Sequence, residues 1–262
     1  MTNQSGRISR RRFLTLAGSA AVLGLPWRGH CASGLPVREV RILSTHHHDP
    51  GAFTQGLLLA DGLLYESTGG YGHSDVRKVE PQTGRVLLRH DLPKEYFGEG
   101  LARVGKTLYQ LTWREGTALL YDAETLNPTG RLAYSGEGWG LAWDGQRFFM
   151  SDGSAHITTR NRDFRKEAAT MVTGDHGPVD QLNELELIPG ALLANVWQSW
   201  RVAYIDMKSG RVVLWLDLTP LRDDMERRGE RYGVANGLAW DGPGGRLLVT
   251  GKNWPTLYAV RF

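Results

Sequence analysis

The sequence predicts an all-β fold, a five-bladed β-propeller. Three observations predict it: one unit occurs five times, each unit breaks into short apolar strands between glycine turns, and glycine and tryptophan are abundant. With 33 glycines and nine tryptophans in 262 residues, tight turns and aromatic-lined surfaces fit better than a helical bundle. Hydrophobic content of 41% and charged content of 23% suit a globular domain with a sizeable core.

The unit starts at Gln55-Gly56-Leu57, Glu99-Gly100-Leu101, Trp139-Gly140-Leu141, Asn183-Glu184-Leu185 and Asn236-Gly237-Leu238. The middle positions lie 44, 40, 44 and 53 residues apart, and the fourth holds Glu where the others hold Gly. A first apolar strand runs from each start to a turn at Asp61, Gly105, Asp144, Pro189 or Asp241. A second strand follows, as in Leu63 to Glu66, Leu108 to Leu111, Phe148 to Ser151, Leu192 to Val196 and Leu247 to Thr250. Third strands are expected at Val76 to Glu80, Ala118 to Asp122, His156 to Arg160 and Val202 to Asp206, and fourth strands at stretches such as Arg85 to Leu88 and Arg211 to Leu216. Short apolar runs bounded by glycine and polar turns are strand signals. Four antiparallel strands recurring at this period are the signature of a propeller.

The last copy stops at Leu257 to Phe262, its third strand. Val37 to Ile42 is expected to supply the fourth, closing the ring and leaving no open edge. The longer gap before the fifth copy contains Thr219-Pro220-Leu221, a cap followed by proline at the first helical position. A short helix is expected there, from Pro220 to Arg228, inserted between blades.

Residues 1–32 hold Arg7, Arg10, Arg11, Arg12 and Arg28 and no acid. Ser9-Arg10-Arg11-Arg12-Phe13-Leu14 is a twin-arginine export motif, and the apolar run Phe13 to Pro26 behind it is too short and glycine-broken to span a bilayer. Residues 1–32 therefore read as a cleaved signal for the twin-arginine translocon, and 33–262 as a single periplasmic propeller domain with no membrane attachment. Cys31 is the one cysteine, so no internal disulfide forms, and Arg28-Gly29-His30 before it is a poor lipid-attachment site. Setting the five arginines aside, 31 basic residues fall to 26 against 28 acidic ones. The body of the protein thus has no electrostatic support for a nucleic-acid partner.

In a blade, the first strand starts on one face and the second returns to it. Residues before each repeat glycine and after each second strand therefore gather at one mouth of the central channel. The first set is Gln55, Glu99, Trp139, Asn183 and Asn236, with Phe53 and Phe97 two positions further upstream. The second set brings Trp113, Asp152, Trp197 and Lys252, with Trp254 close behind. Blade ends also carry Trp and Asn for packing and capping, but here polar and aromatic groups alternate around one ring, which points to a pocket. Glu99 and Glu137 each sit between two glycines. Glu99 stands directly before its repeat glycine, whereas Glu137 is in register with Phe53 and Phe97, so Glu99 is the expected proton-transfer group. His46-His47-His48-Asp49 is no metal cluster on a strand, because neighbouring side chains point to opposite faces. Ser151-Asp152-Gly153-Ser154 reads as a turn rather than a calcium loop. Serine-hydrolase, zincin, P-loop and dinucleotide motifs are absent.

The segments themselves are familiar. His48 to Leu57, Glu66-Ser67-Thr68-Gly69, Tyr96 to Gly100, Leu111-Thr112-Trp113, Gly136 to Leu141, Leu182 to Glu186, Ala194 to Trp197, Ala235-Asn236-Gly237 and Thr250 to Pro255 resemble the plant and bacterial glutamine cyclotransferases. The resemblance runs in order from His48 to Phe262. It implies a five-bladed propeller that converts the N-terminal glutamine of peptides or proteins to pyroglutamate and releases ammonia, with no cofactor and no metal. It places the family's functional residues at Phe53, Gln55, Phe97, Glu99, Trp113, Trp139, Asn183, Trp197 and Lys252. Glu99 is then the proton shuttle and Lys252 a second catalytic group. The other seven bind substrate, and which donor holds the oxyanion stays open between Lys252 and carboxamides such as Gln55 or Asn183. Two other readings compete. One is a calcium-dependent propeller lactonase or esterase with Glu66, Asp152, Asn183 and Asn236 as ligands. The other is a non-catalytic periplasmic binding propeller.

Overall fold

The turns between the short apolar runs contain residues that accept a left-handed backbone, so each run pairs with the next. Asp61 and Gly62, with φ of 53° and 78°, make the two-residue turn of the first hairpin. The computed structural model describes residues 34–262; the arginine-rich segment and Cys31 lie outside the described residues. β1 (Val37–Glu39) and β2 (Arg41–His47) come first. β3 (Thr54–Ala60), β4 (Leu63–Thr68), β5 (Asp75–Val79) and β6 (Val86–Asp91) form a four-stranded sheet in that order. β7 (Gly98–Val104), β8 (Thr107–Thr112), β9 (Thr117–Asp122) and β10 (Pro128–Ala133) repeat it, as do β11 (Leu141–Trp143), β12 (Phe148–Met150), β13 (His156–Arg160) and β14 (Lys166–Met171). After the small hairpin of β15 (Thr173–Gly174) and β16 (Gly177–Pro178) come β17 (Leu182–Ile188), β18 (Ala191–Val196), β19 (Arg201–Asp206) and β20 (Arg211–Asp217). Helix α1 (Thr219–Arg227) precedes β21 (Ala235–Asp241), β22 (Arg246–Gly251) and β23 (Thr256–Arg261). The fold is all-β and propeller-like. In the regular four-stranded sheets the innermost strand is largely buried and the outermost largely exposed, as in β3 against β6 and β7 against β10.

Two expectations change. Regular four-stranded sheets number four rather than five, because β17 to β20 belong to a seven-stranded sheet. There the edge of β20 is covered by β15 and by β1, both parallel to it, which removes a row of unpaired backbone groups. The strand expected at Val37 to Ile42 is split. Val37–Glu39 pairs with β20, and Arg41–His47 pairs antiparallel with β23. The chain changes sheets at Val40, which is buried and donates its N–H to Asp217 O at 3.1 Å. An apolar run does not reveal such a crossing. The helix falls where expected, with Leu221 and Met225 on its buried face. Leu218 rather than Thr219 stands at its N-cap, and Asp217 Oδ1 accepts from the Thr219 N–H at 2.8 Å. No helix among the described residues is long and apolar enough to cross a membrane.

The repeat glycines mark where first strands meet. A Cβ on Gly56 would lie 2.6 Å from Leu101 N, and one on Gly100 would lie 2.6 Å from Leu141 N. Only glycine allows that approach. At the fourth copy Glu184 does the opposite. Its side chain reaches out, accepting the Leu57 N–H at 3.3 Å and the Leu238 N–H at 3.0 Å. It thereby joins β17 to β3 and β21. Asn236 Nδ2 donates to Thr54 O at 3.1 Å, tying β21 to β3.

Candidate active site

β-Bulges aim the site residues. Register shifts fall between Thr54 and Gly56 in β3, Gly98 and Leu101 in β7, Leu182 and Leu185 in β17, and Ala235 and Leu238 in β21. Each shift spans the repeat position, and a bulge turns a side chain out of the ladder. Gln55, Glu99, Asn183 and Asn236 all sit in these bulges.

The starts of the inner strands surround a cavity of about 630 Å³. Phe53, Gln55, Phe97, Glu99, Trp113, Trp139, Asn183, Trp197 and Lys252 all line it. Three other residues expected at the mouth do not: Asp152, held within its own turn by Ser154, and Asn236 and Trp254. Asn236 is buried behind Gln55, with its amide turned to the β3 backbone. Trp254 is fully buried, stacked on Trp200 at 5.6 Å and donating to Gly233 O. Arg114, Glu137 and Gln181 line the cavity without having been expected there. Glu137 and Gln181 were within reach of the repeat frame. They stand three residues before the repeat position, as Phe53 and Phe97 do.

Glu99 is 4% exposed, and its Oε1 accepts from Gln55 Nε2 at 2.7 Å. Burial holds its carboxyl well above the usual carboxylate range. The Lys252 charge and the Gln55 hydrogen bond oppose this, while the Glu137 and Glu115 charges add to it. Burial also lowers the Lys252 ammonium, against the opposing pull of Glu99. Lys252 Nζ stands 4.7 Å from the centre of the Phe53 ring. Asn183 is 2% exposed, and its Oδ1 has no hydrogen-bond partner. An unpaired buried acceptor is costly, and this one belongs to a residue of the cavity wall. The aromatic wall is continuous on one side, with Phe53 edge-on to Phe97 at 6.2 Å and Phe97 tilted against Trp113 at 5.5 Å. Trp139 and Trp197 meet edge-to-face at 6.0 Å on the other.

The ligands imagined for a calcium site do not converge. Glu66 is buried against His48 Nε2 at 3.0 Å and Thr54 Oγ1 at 2.7 Å. Asp152 accepts from Ser154 within its own turn. Of the four, Asn183 alone lines the cavity. Among the described residues no group of three or more His, Cys, Asp or Glu could hold a metal ion. Of the three adjacent histidines, His48 is the buried one, and its Nδ1 bonds Trp254 O at 2.6 Å.

A family model described as glutamine cyclotransferase matches residues 17–262. The chain belongs to the glutamine cyclotransferase family. A similar member is the glutaminyl-peptide cyclotransferase of Arabidopsis thaliana, 39% identical over 97% of this chain and 85% of that protein. Among solved structures, the glutaminyl cyclase of Myxococcus xanthus superposes with a TM-score of 0.80 at 35% identity, covering 87% of this chain and 97% of the other. The resemblance read from the segments is therefore borne out at the level of the family.

Proposed function

We propose that this protein is a glutaminyl-peptide cyclotransferase, an enzyme that closes the N-terminal glutamine of a peptide or protein to pyroglutamate and releases ammonia. Family membership and the two relatives support this reading. The observation that carries the mechanism is a single buried carboxylate, Glu99, held by Gln55 in a cavity that also contains Lys252 and an unpaired Asn183 oxygen.

The α-amine attacks the γ-carboxamide carbon of its own residue, so proximity is built into the substrate. One C–N bond forms, the other breaks, and one proton moves from the attacking amine to the departing NH₂. Glu99, whose affinity for protons is raised by burial, takes the first proton and delivers it to the leaving group. Gln55 has its amide committed to Glu99, which leaves Lys252 as the cationic donor for the tetrahedral oxyanion. Asn183 Oδ1 accepts from the substrate's amide or amine. Phe53, Phe97, Trp113, Trp139 and Trp197 bind the substrate and exclude water. No step needs a cofactor.

The seven-stranded sheet counts as the fifth blade in this reading, and β2 on β23 closes the ring. Residues 1–32 are the export signal, which delivers the mature enzyme to the periplasm. One assay tests the function: ammonia release from a glutamine-initiated dipeptide, with and without a chelator. Chelator-resistant release is expected. Loss of activity in chelator would favour the calcium-dependent hydrolase, and absence of release would favour a binding propeller.

A further inference from the structure

Glu137 occupies a position where two other repeats hold phenylalanine, and it lines the cavity. Its carboxylate serves three donors from two sheets. Oε2 accepts from Trp113 Nε1 at 2.8 Å and from Trp139 Nε1 at 3.0 Å. Oε1 accepts from Arg114 Nε at 3.1 Å. The Arg114 guanidinium in turn lies 3.8 Å from the centre of the Trp113 ring. Trp113 and Arg114 follow β8, whereas Trp139 precedes β11.

We propose that Glu137 is a positioning residue that sets the width of the aromatic slot by clamping the Trp113 and Trp139 indoles to one carboxylate oxygen across the gap between two sheets. The inference rests on the cyclotransferase reading, in which that slot receives the substrate. An indole has one donor and a rigid ring, so fixing its N–H together with one packed edge fixes the plane. Phe97 packs against Trp113 and Trp197 packs against Trp139, which supplies those edges. A carboxylate makes a stronger, charge-assisted acceptor than a neutral group. Glu137 is ionised: burial works against its charge, but the Trp139, Trp113 and Arg114 hydrogen bonds outweigh it. Its side chain is 38% exposed. It therefore stands at the rim and holds the slot through the indoles, while its charge reaches buried Glu99 only through space.

The test compares Glu137→Ala, which removes the acceptor, with Glu137→Gln, which keeps one oxygen for both indoles. Steady-state ammonia release from a glutamine-initiated dipeptide is measured alongside near-ultraviolet circular dichroism. Glu137→Ala is expected to raise KM about tenfold, the effect of leaving pocket donors unpaired, with kcat within about threefold of normal. It should also alter the aromatic dichroism bands. Glu137→Gln should restore both readouts to near wild type. In a Trp113→Phe, Trp139→Phe background, Glu137→Ala should add less than about twofold, because coupled residues are non-additive. An unchanged KM in Glu137→Ala, a Gln variant as impaired as the Ala variant, or full additivity would each overturn the clamp. Failure of the wild type to release ammonia would sink the function instead, and the dichroism comparison would still decide whether the clamp exists.

Discussion

The two ends of the inner strands differ sharply, though one repeat builds both. At their starts stand Gln55, Glu99, Trp139 and Asn183 around the larger cavity. A few residues further along, Leu58, Ala102, Ala142 and Leu187 surround a second cavity of about 330 Å³. Carboxylates withdrawn from solvent line the inner strands: Glu99 and Glu184 are buried near the starts, and Glu186 is half-buried further along. Burial raises Glu99 and Glu184 well above the usual range and Glu186 to about 8. Their partners separate them. Glu184 accepts backbone N–H groups of Leu57 and Leu238, and Glu186 accepts that of Trp240 at 2.6 Å. Glu99 faces a carboxamide and shares its cavity with an ammonium. A raised proton affinity alone therefore does not mark a catalytic group. Fixed backbone donors make a carboxylate a tie between sheets, whereas side-chain partners beside open space leave room for a substrate.

The strongest way to break this contrast is at Glu99. Glu99→Gln should lower kcat by roughly 10²–10⁴-fold with the fold intact by circular dichroism. Turnover near the wild-type rate would remove Glu99 from the shuttle. Glu184→Ala should act on stability instead. It strands two buried backbone N–H groups, at about 1–3 kcal/mol each, read from the denaturant midpoint. A folded, fully stable variant that has lost only kcat would reverse the assignment of the two carboxylates.

Trp197→Ala sharpens the reading of the aromatic wall. Trp197 is 36% exposed at the rim, so its loss should raise KM by several-fold, on the order of 1 kcal/mol, and leave kcat nearly unchanged. At Glu186 the expected effect is on the pH dependence of stability rather than on activity. Its affinity for protons rises from 4.5 in the unfolded chain to about 8 in the fold. Between those values the folded state holds a proton that the unfolded chain releases, so this group's contribution to stability falls as pH rises through that window. Glu186→Gln should flatten stability against pH from about 4.5 to about 8. A slope identical to wild type would show that Glu186 ionises freely.

The site was legible in the sequence to the extent that glycine recorded it. Close approach of inner strands demands glycine at Gly56, Gly100 and Gly140, and the interval between those glycines sets the frame in which Gln55, Glu99, Trp139 and Asn183 share a face. Gln181 was missed because that frame was read one residue before the repeat position in the fourth copy, and Glu137, though in register with the two phenylalanines, carries no mark in the sequence of the indoles it holds. Of the indole partners of Glu137, Trp139 is two residues away, but Trp113 comes from a different sheet and leaves no local trace. The enlargement of one sheet was hidden for a similar reason. β15 and β16 have two residues each, too few to show a period.

By itself the sequence determined the strand period, the all-β class, the family resemblance and the set of residues gathered at one mouth. These follow from local backbone chemistry and from spacing along the chain. Only the tertiary structure decided which buried carboxylate is tied to backbone and which faces Lys252, which tryptophan lines the cavity and which is core, and where the first strands divide between two sheets. Each of those depends on groups brought from distant segments into a medium of low polarity, where burial and a single hydrogen-bond partner outweigh anything that neighbours in sequence impose.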